Sequence, residues 1–314
     1  MPRSLKAHLL LVLVTLVWGS TFVLTKKALQ DASPQTLNAV RMTLAALVLV
    51  VYYRKHLARL DRRAVKTGTV VGIFLYLGYA FQIAGLKLTT PSKSAFLTGV
   101  STVLVPLLLV LLWRTRVHAW RAVGIALAFT GLFLMTVPAG RQGLVDFARV
   151  NLGDLLSIAC AFAFAFQIIL LGRATQRFPF EQMAVLQIAV AAVLMMVGAP
   201  LLEHPVFRPS PAVIASVLVT GILGTAAGFT VQAWAQQFTP PTHTALIFTL
   251  EPVFAWLTSF LVLQERLGLR AGLGALLILG GILISELLGQ VAQPDVELTA
   301  QPVSAPSPGN AGTG

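Results

Sequence analysis

Charge is what this sequence has least of. Asp, Glu, Lys and Arg make up 11% of its 314 residues, where a soluble domain carries roughly a quarter. With 56% hydrophobic residues and a mean hydropathy of +0.82, that scarcity excludes an ordinary water-soluble globular protein. Cysteine is almost missing too. The single Cys160 lies inside an apolar run, so no intrachain disulfide, cysteine-based zinc site or CxxC redox pair can form. No GxxxxGK[ST] phosphate loop is present, so the chain itself is not expected to hydrolyse ATP. The histidines His8, His56, His118, His204 and His243 are scattered near the ends of apolar runs, in no metal-ligand spacing. Neither a metal nor a cofactor is expected. A cleavage signal is lacking as well: Arg3 and Lys6 precede an apolar run at 9–17, but no Ala-x-Ala-like site follows. That stretch reads as a retained first helix.

What is there is a succession of apolar runs, each near the ~20 residues that a bilayer core requires. Ten helices can be drawn, at about 7–25, 35–53, 67–86, 93–112, 119–137, 152–172, 183–201, 211–236, 242–262 and 270–288. The expected fold is therefore an all-α integral membrane protein with ten transmembrane helices. A net charge of +12 does not point to nucleic acid, because the basic residues lie between the spans rather than along one soluble face. Anionic lipid headgroups are the expected partners of these loops. Thirteen Lys and Arg fall on one side of the spans, with Arg3, Lys6 and the loop 54–66, and nine on the other. The excess places both termini in the cytoplasm and the protein in the plasma (inner) membrane. Residues 1–6 form a short leading tail. After 289 the composition turns to Pro, Ala, Gly and Ser, which predicts a disordered tail over 289–314.

The chain repeats itself. Moving 66–135 forward by 150 lays it on 216–285 without a gap: Thr89 falls on Thr239, Pro91 on Pro241, Ala95 on Ala245, Gly78 on Gly228 and Gln82 on Gln232. Gly124 and Gly131 fall on Gly274 and Gly281. A shift of 146 pairs Arg41 with Gln187 and Ala45-Ala46 with Ala191-Ala192. Two five-helix units follow, 7–137 and 152–288, joined by a linker at 138–151. Five is odd, so the second unit is inverted relative to the first, an arrangement that suits a carrier with two mirrored states.

Several of these residues resemble the drug/metabolite transporter superfamily, and within it the EamA-type families. Trp18-Gly19-Ser20-Thr21-Phe22 is similar to that family's opening Trp-Gly element, and Arg41 with Ala45-Ala46 to its second helix. Gly85-Leu86 through Thr89 and Ala95 resembles the third-to-fourth connection, and Gly153-Asp154-Leu155-Leu156 the start of the second copy. Glu251-Pro252 through Glu265-Arg266 resembles the ninth helix and its exit. The likeness covers about residues 7–288. It departs at Phe164, where the family's second copy usually has a tryptophan, and this puts equivalent aromatic contacts in the two copies in doubt. The resemblance implies a ten-helix secondary carrier, often an exporter of amino acids or other small metabolites, and not an enzyme.

The most costly residues are then the best candidates for a site. Glu251 sits near mid-span beside Pro252. A carboxylate there costs roughly 2.5–3.5 kcal/mol, and the proline frees the carbonyl of Phe248. Thr244, Ala255, Thr258 and Ser259 share its stripe, which is expected to face the bundle interior. Glu251 is a candidate for binding a proton or a cationic substrate group; the bland alternative is a carboxyl held in one permanent pairing. Arg41, the other charge within a span, either pairs with Glu251 or caps carbonyls near its helix end. Gln82, Gln232 and Gln167 line a cavity or make interhelical amide bonds, and packing is the preferred reading. Trp18, Trp234 and Trp256 are candidates for stacking on a substrate, whereas Trp113 and Trp120 read as interface anchors. Pro252 and Pro106 are the candidate helix breaks. The expected function is export of a small amphipathic metabolite or amino acid by alternating access, with proton exchange. A membrane-embedded enzyme acting on lipid-linked substrates, and a pore, stand as the alternatives.

Overall fold

The computed structural model describes residues 2–289 apart from 90, 138–139, 141–144, 146–148 and 264–267. The tail after 289, the helix exit at Glu265 and Arg266, and most of the 138–151 linker lie outside the described residues. Besides a four-residue helix at Arg54–Leu57, the described residues form ten helical segments and no β-strand beyond one isolated bridge. They are α1 (Arg3–Ala28), α2 (Pro34–Tyr52), α3 (Arg62–Leu88), α4a (Pro91–Gly99) with α4b (Ser101–Trp113), and α5 (Ala119–Thr136). The second half has α6 (Leu152–Ala174), α7 (Phe180–Leu202), α8 (Pro211–Leu218, continuing through Val219–Ala227 and Gly228–Ala235), α9a (Pro241–Phe248) with α9b (Glu251–Leu263), and α10 (Leu269–Gly289). Nine segments are long and apolar enough to cross a membrane, with α4a and α4b counted together from Ser94 to Trp113. The tenth, α9a with α9b, is interrupted at Thr249 and Leu250.

The sequence marks where these helices begin. Asp61 accepts from the N–H of Ala64 at the start of α3, and Asn151 with Asp154 forms a reciprocal capping box at the start of α6. Ser33-Pro34 and Ser210-Pro211 open α2 and α8, where a proline's missing N–H has no partner to lose.

The helix breaks repeat as well. Shifted by 150, Ser101 at the start of α4b falls on Glu251 at the start of α9b, and the interruption at Val100 falls on Leu250. Pro252 is the second residue of α9b, a tolerated position. Pro106, by contrast, lies inside α4b, six residues after the interruption at Val100. The expectation that Pro106 breaks its span is therefore corrected. The bend belongs to the repeated scaffold, and only the second copy marks it with a proline.

Lipid tails are as apolar as leucine, so helices associate in a membrane through close packing rather than hydrophobic burial. Glycines supply the approach. Gly124 of α5 lies against the carbonyl of Gly281 in α10, and Gly131 lies against that of Gly274, which leaves no room for a Cβ at either crossing. Gly85 of α3 meets Gly153 of α6, where an added Cβ would come within 2.9 Å of the Gly153 carbonyl oxygen. Their repeat mates Ala235 and Ala7 are both fully buried in one apolar cluster drawn from both halves.

At one end the α1–α2 and α7–α8 connections are clamped together. The N–H of Ser33 donates to Val206 O at 2.8 Å, and that of Arg208 to Asp31 O at 2.9 Å. Glu203 accepts from the Thr36 N–H at 2.8 Å and from its hydroxyl at 3.1 Å. Partial burial alone would raise the Glu203 carboxyl, but hydrogen bonds from Ser33, Thr36 and Gln35 outweigh it and hold the group below its ordinary value.

Candidate functional site

Two aromatic contacts related by the repeat frame the middle of the bundle. Trp18 of α1 packs on α8: a Cβ on Gly228 would lie 3.0 Å from the indole nitrogen. Its ring meets Phe229 at 5.4 Å and Phe248 at 5.0 Å. The indole N–H donates to Gly224 O at 2.7 Å. That carbonyl lies within the π-helical stretch Val219–Ala227, where the hydrogen-bond ladder is widened and the Thr225 hydroxyl reaches back to Thr220 O at 2.8 Å. Shift 146 takes Trp18 to Phe164, and shift 150 takes Gly78 and Tyr79 to Gly228 and Phe229. Phe164 indeed packs on Gly78, with 2.5 Å from its ring to an added Cβ, and meets Tyr79 edge-on at 5.4 Å. The ring contacts thus survive the departure at Phe164. What phenylalanine cannot supply is a mate for the indole hydrogen bond.

The two intramembrane charges flank this frame. Glu251 starts α9b about ten residues into its span, hence roughly 15 Å deep at ~1.5 Å per residue. Its side chain is exposed at the surface of the protein, whereas Leu250 and Val253 beside it are buried. Arg41 of α2 acts electrostatically on Glu251, and both charges act on Tyr79 of α3. Residues from α2, α3 and α9b thus share one electrostatic neighbourhood. The Arg41 guanidinium lies over the Tyr79 ring, 5.0 Å from its centroid, in a cation–π contact. Among the described residues no direct ion pair joins Arg41 to Glu251, and the Arg41 Nε is buried without a hydrogen-bond partner. Behind Glu251, α9b packs on α1. A Cβ on Gly19 would come within 2.7 Å of both Glu251 O and Ala255 N, and the Thr258 hydroxyl donates to Ser20 at 3.3 Å.

The other predicted residues separate. Gln167 donates to Gln187 at 2.9 Å and accepts from Gln232 at 3.3 Å, so three buried amides tie α6, α7 and α8 together. For Gln167 and Gln232 this is the packing arrangement. Gln82, the repeat mate of Gln232, is only half-buried. Trp256 packs with the α5–α10 apolar cluster, with Gly272 nearby. It lies five residues from Glu251, about 140° around the helix, and so on a different face. A basic cleft of about 450 Å³, lined by Asp61, Arg63, Lys66, Thr67, Arg177 and Phe178, opens among the loop cations and includes neither Arg41 nor Glu251.

Tyr79, Phe229, Phe248 and Gln187 were not singled out as site residues from the sequence. Tyr79 and Phe229 carry a signal all the same, because each follows a repeated glycine on which the Trp18 or Phe164 ring packs. The histidines need a correction. Far apart along the chain, His8 and His243 come together at Glu286.

Comparison with known proteins agrees with this architecture. The model of the EamA-like transporter family matches the chain twice, at residues 5–137 and 151–287. An uncharacterized transporter of Archaeoglobus fulgidus is 31% identical over 285 residues, covering 91% of this chain and 87% of that protein. A probable amino-acid metabolite efflux pump of Escherichia coli (strain K12) is 24% identical over 297 residues, with 90% and 95% covered. A solved crystal structure superposes with a TM-score of 0.74 at 19% identity, covering 92% of this chain and 99% of its own.

Proposed function

The chain belongs to the EamA-like transporter family, and on that premise we propose that it exports a small amphipathic metabolite or amino acid in exchange for protons, with Glu251 and Arg41 as the binding charges. Membership makes it a multi-pass membrane transporter rather than an enzyme. The observation that carries the finer reading is the exposed carboxylate at mid-span, in the field of an arginine with a buried, unpartnered Nε–H. An ammonium group at Glu251 and a carboxylate at Arg41 would satisfy both ends of a zwitterion through charge-assisted hydrogen bonds. The Trp18, Phe229 and Phe248 rings offer its apolar part a surface beside them. The two charges are not joined directly, so a ligand between them displaces no ion pair. Protonation of Glu251 would release the ammonium end, which is how a proton gradient would drive export. The name of the E. coli relative supports the amino-acid class and the outward direction. The plasma membrane, with both termini cytoplasmic, is the setting this reading requires.

Purified protein in liposomes, screened with amino acids and related metabolites with and without a pH gradient, tests the proposal. Saturable exchange accelerated by the gradient is expected. Glu251→Gln should lower it at least tenfold and remove its dependence on the gradient, whereas Arg41→Gln should chiefly weaken substrate binding. The double variant should lose less than the sum of the two single losses. Unsaturable flux would favour a pore, and gradient-coupled exchange unchanged in Glu251→Gln would remove Glu251 from the mechanism.

A further inference from the structure

Three side chains that the transport reading leaves unused meet at one end of the bundle. His8 lies near the start of α1, His243 is the third residue of α9a, and Glu286 is in the last turn of α10. His243 Nδ1 is 2.7 Å from Glu286 Oε1, and His8 Nδ1 is 3.3 Å from Glu286 Oε2. The imidazole ring centroids are 5.8 Å apart, and one ligand atom from each of the three residues lies within 4.8 Å of the other two. His243 is 3% exposed; its Nδ1 meets Glu286, but its Nε2 has no hydrogen-bond partner among the described residues. A buried imidazole in that condition needs an explanation, and a bound ion is one that fits.

We propose that His8, His243 and Glu286 form a binding site for a divalent transition cation of the zinc type. Two neutral imidazoles and a carboxylate are a ligand set that zinc accepts, with bonds of ~2.0–2.2 Å and a fourth position left for water. Tetrahedral ligands at that bond length stand about 3.4 Å from one another. The 3.3 Å contact already meets this distance, the 2.7 Å pair would open by about 0.7 Å, and the widest pair would close by at most about 1.4 Å, movements that side-chain torsions supply. Nearby cations are held aside: Lys6 lies over the Trp234 ring at 5.5 Å and Arg3 over Phe238 at 5.6 Å, both toward α8. The site belongs to this end only. Under the repeat shifts His8, His243 and Glu286 fall on Asp154, Lys93 and Thr136, which do not make a comparable ligand set. A cation here would staple three helix ends that come from both halves of the chain.

Cobalt is the probe, since a tetrahedral Co²⁺ site with nitrogen and oxygen ligands absorbs visibly where hydrated Co²⁺ barely does. Full-length protein in detergent, stripped with a chelating resin, is titrated with Co²⁺ and then with Zn²⁺. One Co²⁺ per chain with intense tetrahedral bands, displaced by Zn²⁺, is expected. His8→Ala, His243→Ala and Glu286→Gln should each weaken binding by about tenfold or more. Zn²⁺ should raise the unfolding temperature of the parent protein and not that of Glu286→Gln. His8→Ala removes a ligand at the accessible edge of the cluster, so it keeps the test open if the buried variants fail to fold. The idea is overturned if no stoichiometric Co²⁺ binds, or if binding is unchanged in a folded His8→Ala and a folded Glu286→Gln, which would leave a hydrogen-bonded helix-end strut. No transport is measured, so the result stands apart from the transport reading.

Discussion

At the scale of single residues, the bundle turns on a few polar atoms without water to fall back on. The indole N–H of Trp18 satisfies a carbonyl in the π-helical stretch of α8. Trp18→Phe should keep ring contacts to Phe229 and Phe248 but remove the indole donor from Gly224 O, at a cost of about 1 kcal/mol. The check is a lowered thermal midpoint in detergent, with Phe164→Trp in the mirrored position giving no matching gain unless it also finds a carbonyl. Glu203 provides a pH signature outside the membrane. Its carboxyl is held below the ordinary value in the folded protein. The stabilisation is therefore fully present above the unfolded carboxyl pKa of about 4.3 and is lost as pH falls through the lower folded value. Thermal midpoints measured across that acid range should fall more steeply in the parent than in Glu203→Gln, and parallel curves would show that the Ser33–Thr36 clamp contributes nothing. Glu251 and Arg41 stood out in the sequence because charges in apolar runs are rare. Tyr79 did not, since a tyrosine in a span is unremarkable until a guanidinium lies over it.

Among elements, the α5–α10 crossing gives a test with a built-in control. Gly281 lies against the Gly124 carbonyl, while a Cβ on the adjacent Gly280 would meet nothing. Gly281→Leu should destabilise by about 1–3 kcal/mol or prevent folding, through overpacking. Gly280→Leu should be neutral or slightly stabilising, because leucine outranks glycine in a helix. Yield of monodisperse protein and the thermal midpoint decide it, and equal effects of the two substitutions would remove the close crossing. Gly124, Gly131, Gly274 and Gly281 were legible as packing positions from their spacing alone. The helix interruptions were less so. Pro252 stands two residues after the interruption at Thr249 and Leu250, whereas Pro106 lies inside α4b and the interruption in α4 falls at Val100, away from any proline.

For the whole molecule, two inverted halves imply that an end closed in one state must part in the other. Ser94 of α4a and Ser157 of α6 touch with hydroxyl oxygens 3.1 Å apart, close to the buried Thr89–Asp154 hydrogen bond of 2.6 Å. Ser94→Cys with Ser157→Cys places two thiols where a disulfide of ordinary geometry can form. Cys160, which lies 3.8 Å from Thr98 Oγ1, is first changed to alanine to prevent mispairing. Oxidation should abolish exchange in liposomes and a reductant should restore it. Full exchange by the cross-linked protein would mean that this end does not open.

The membrane class, the ten spans, the duplication and the odd charges at 41 and 251 could all be read from the amino acids, because each is a matter of composition or spacing along the chain. The bilayer's demand for about twenty apolar residues per helix is written linearly, and a repeat is written as a fixed offset. Which costly residues share a space is not written that way. Arg41, Tyr79 and Glu251 come from three helices, the Gln167–Gln187–Gln232 chain from three others, and His8, His243 and Glu286 from the first and the last two. Sequence distance carries no information about those meetings. They follow from the glycine crossings that set how close, and at what angle, each pair of helices can lie.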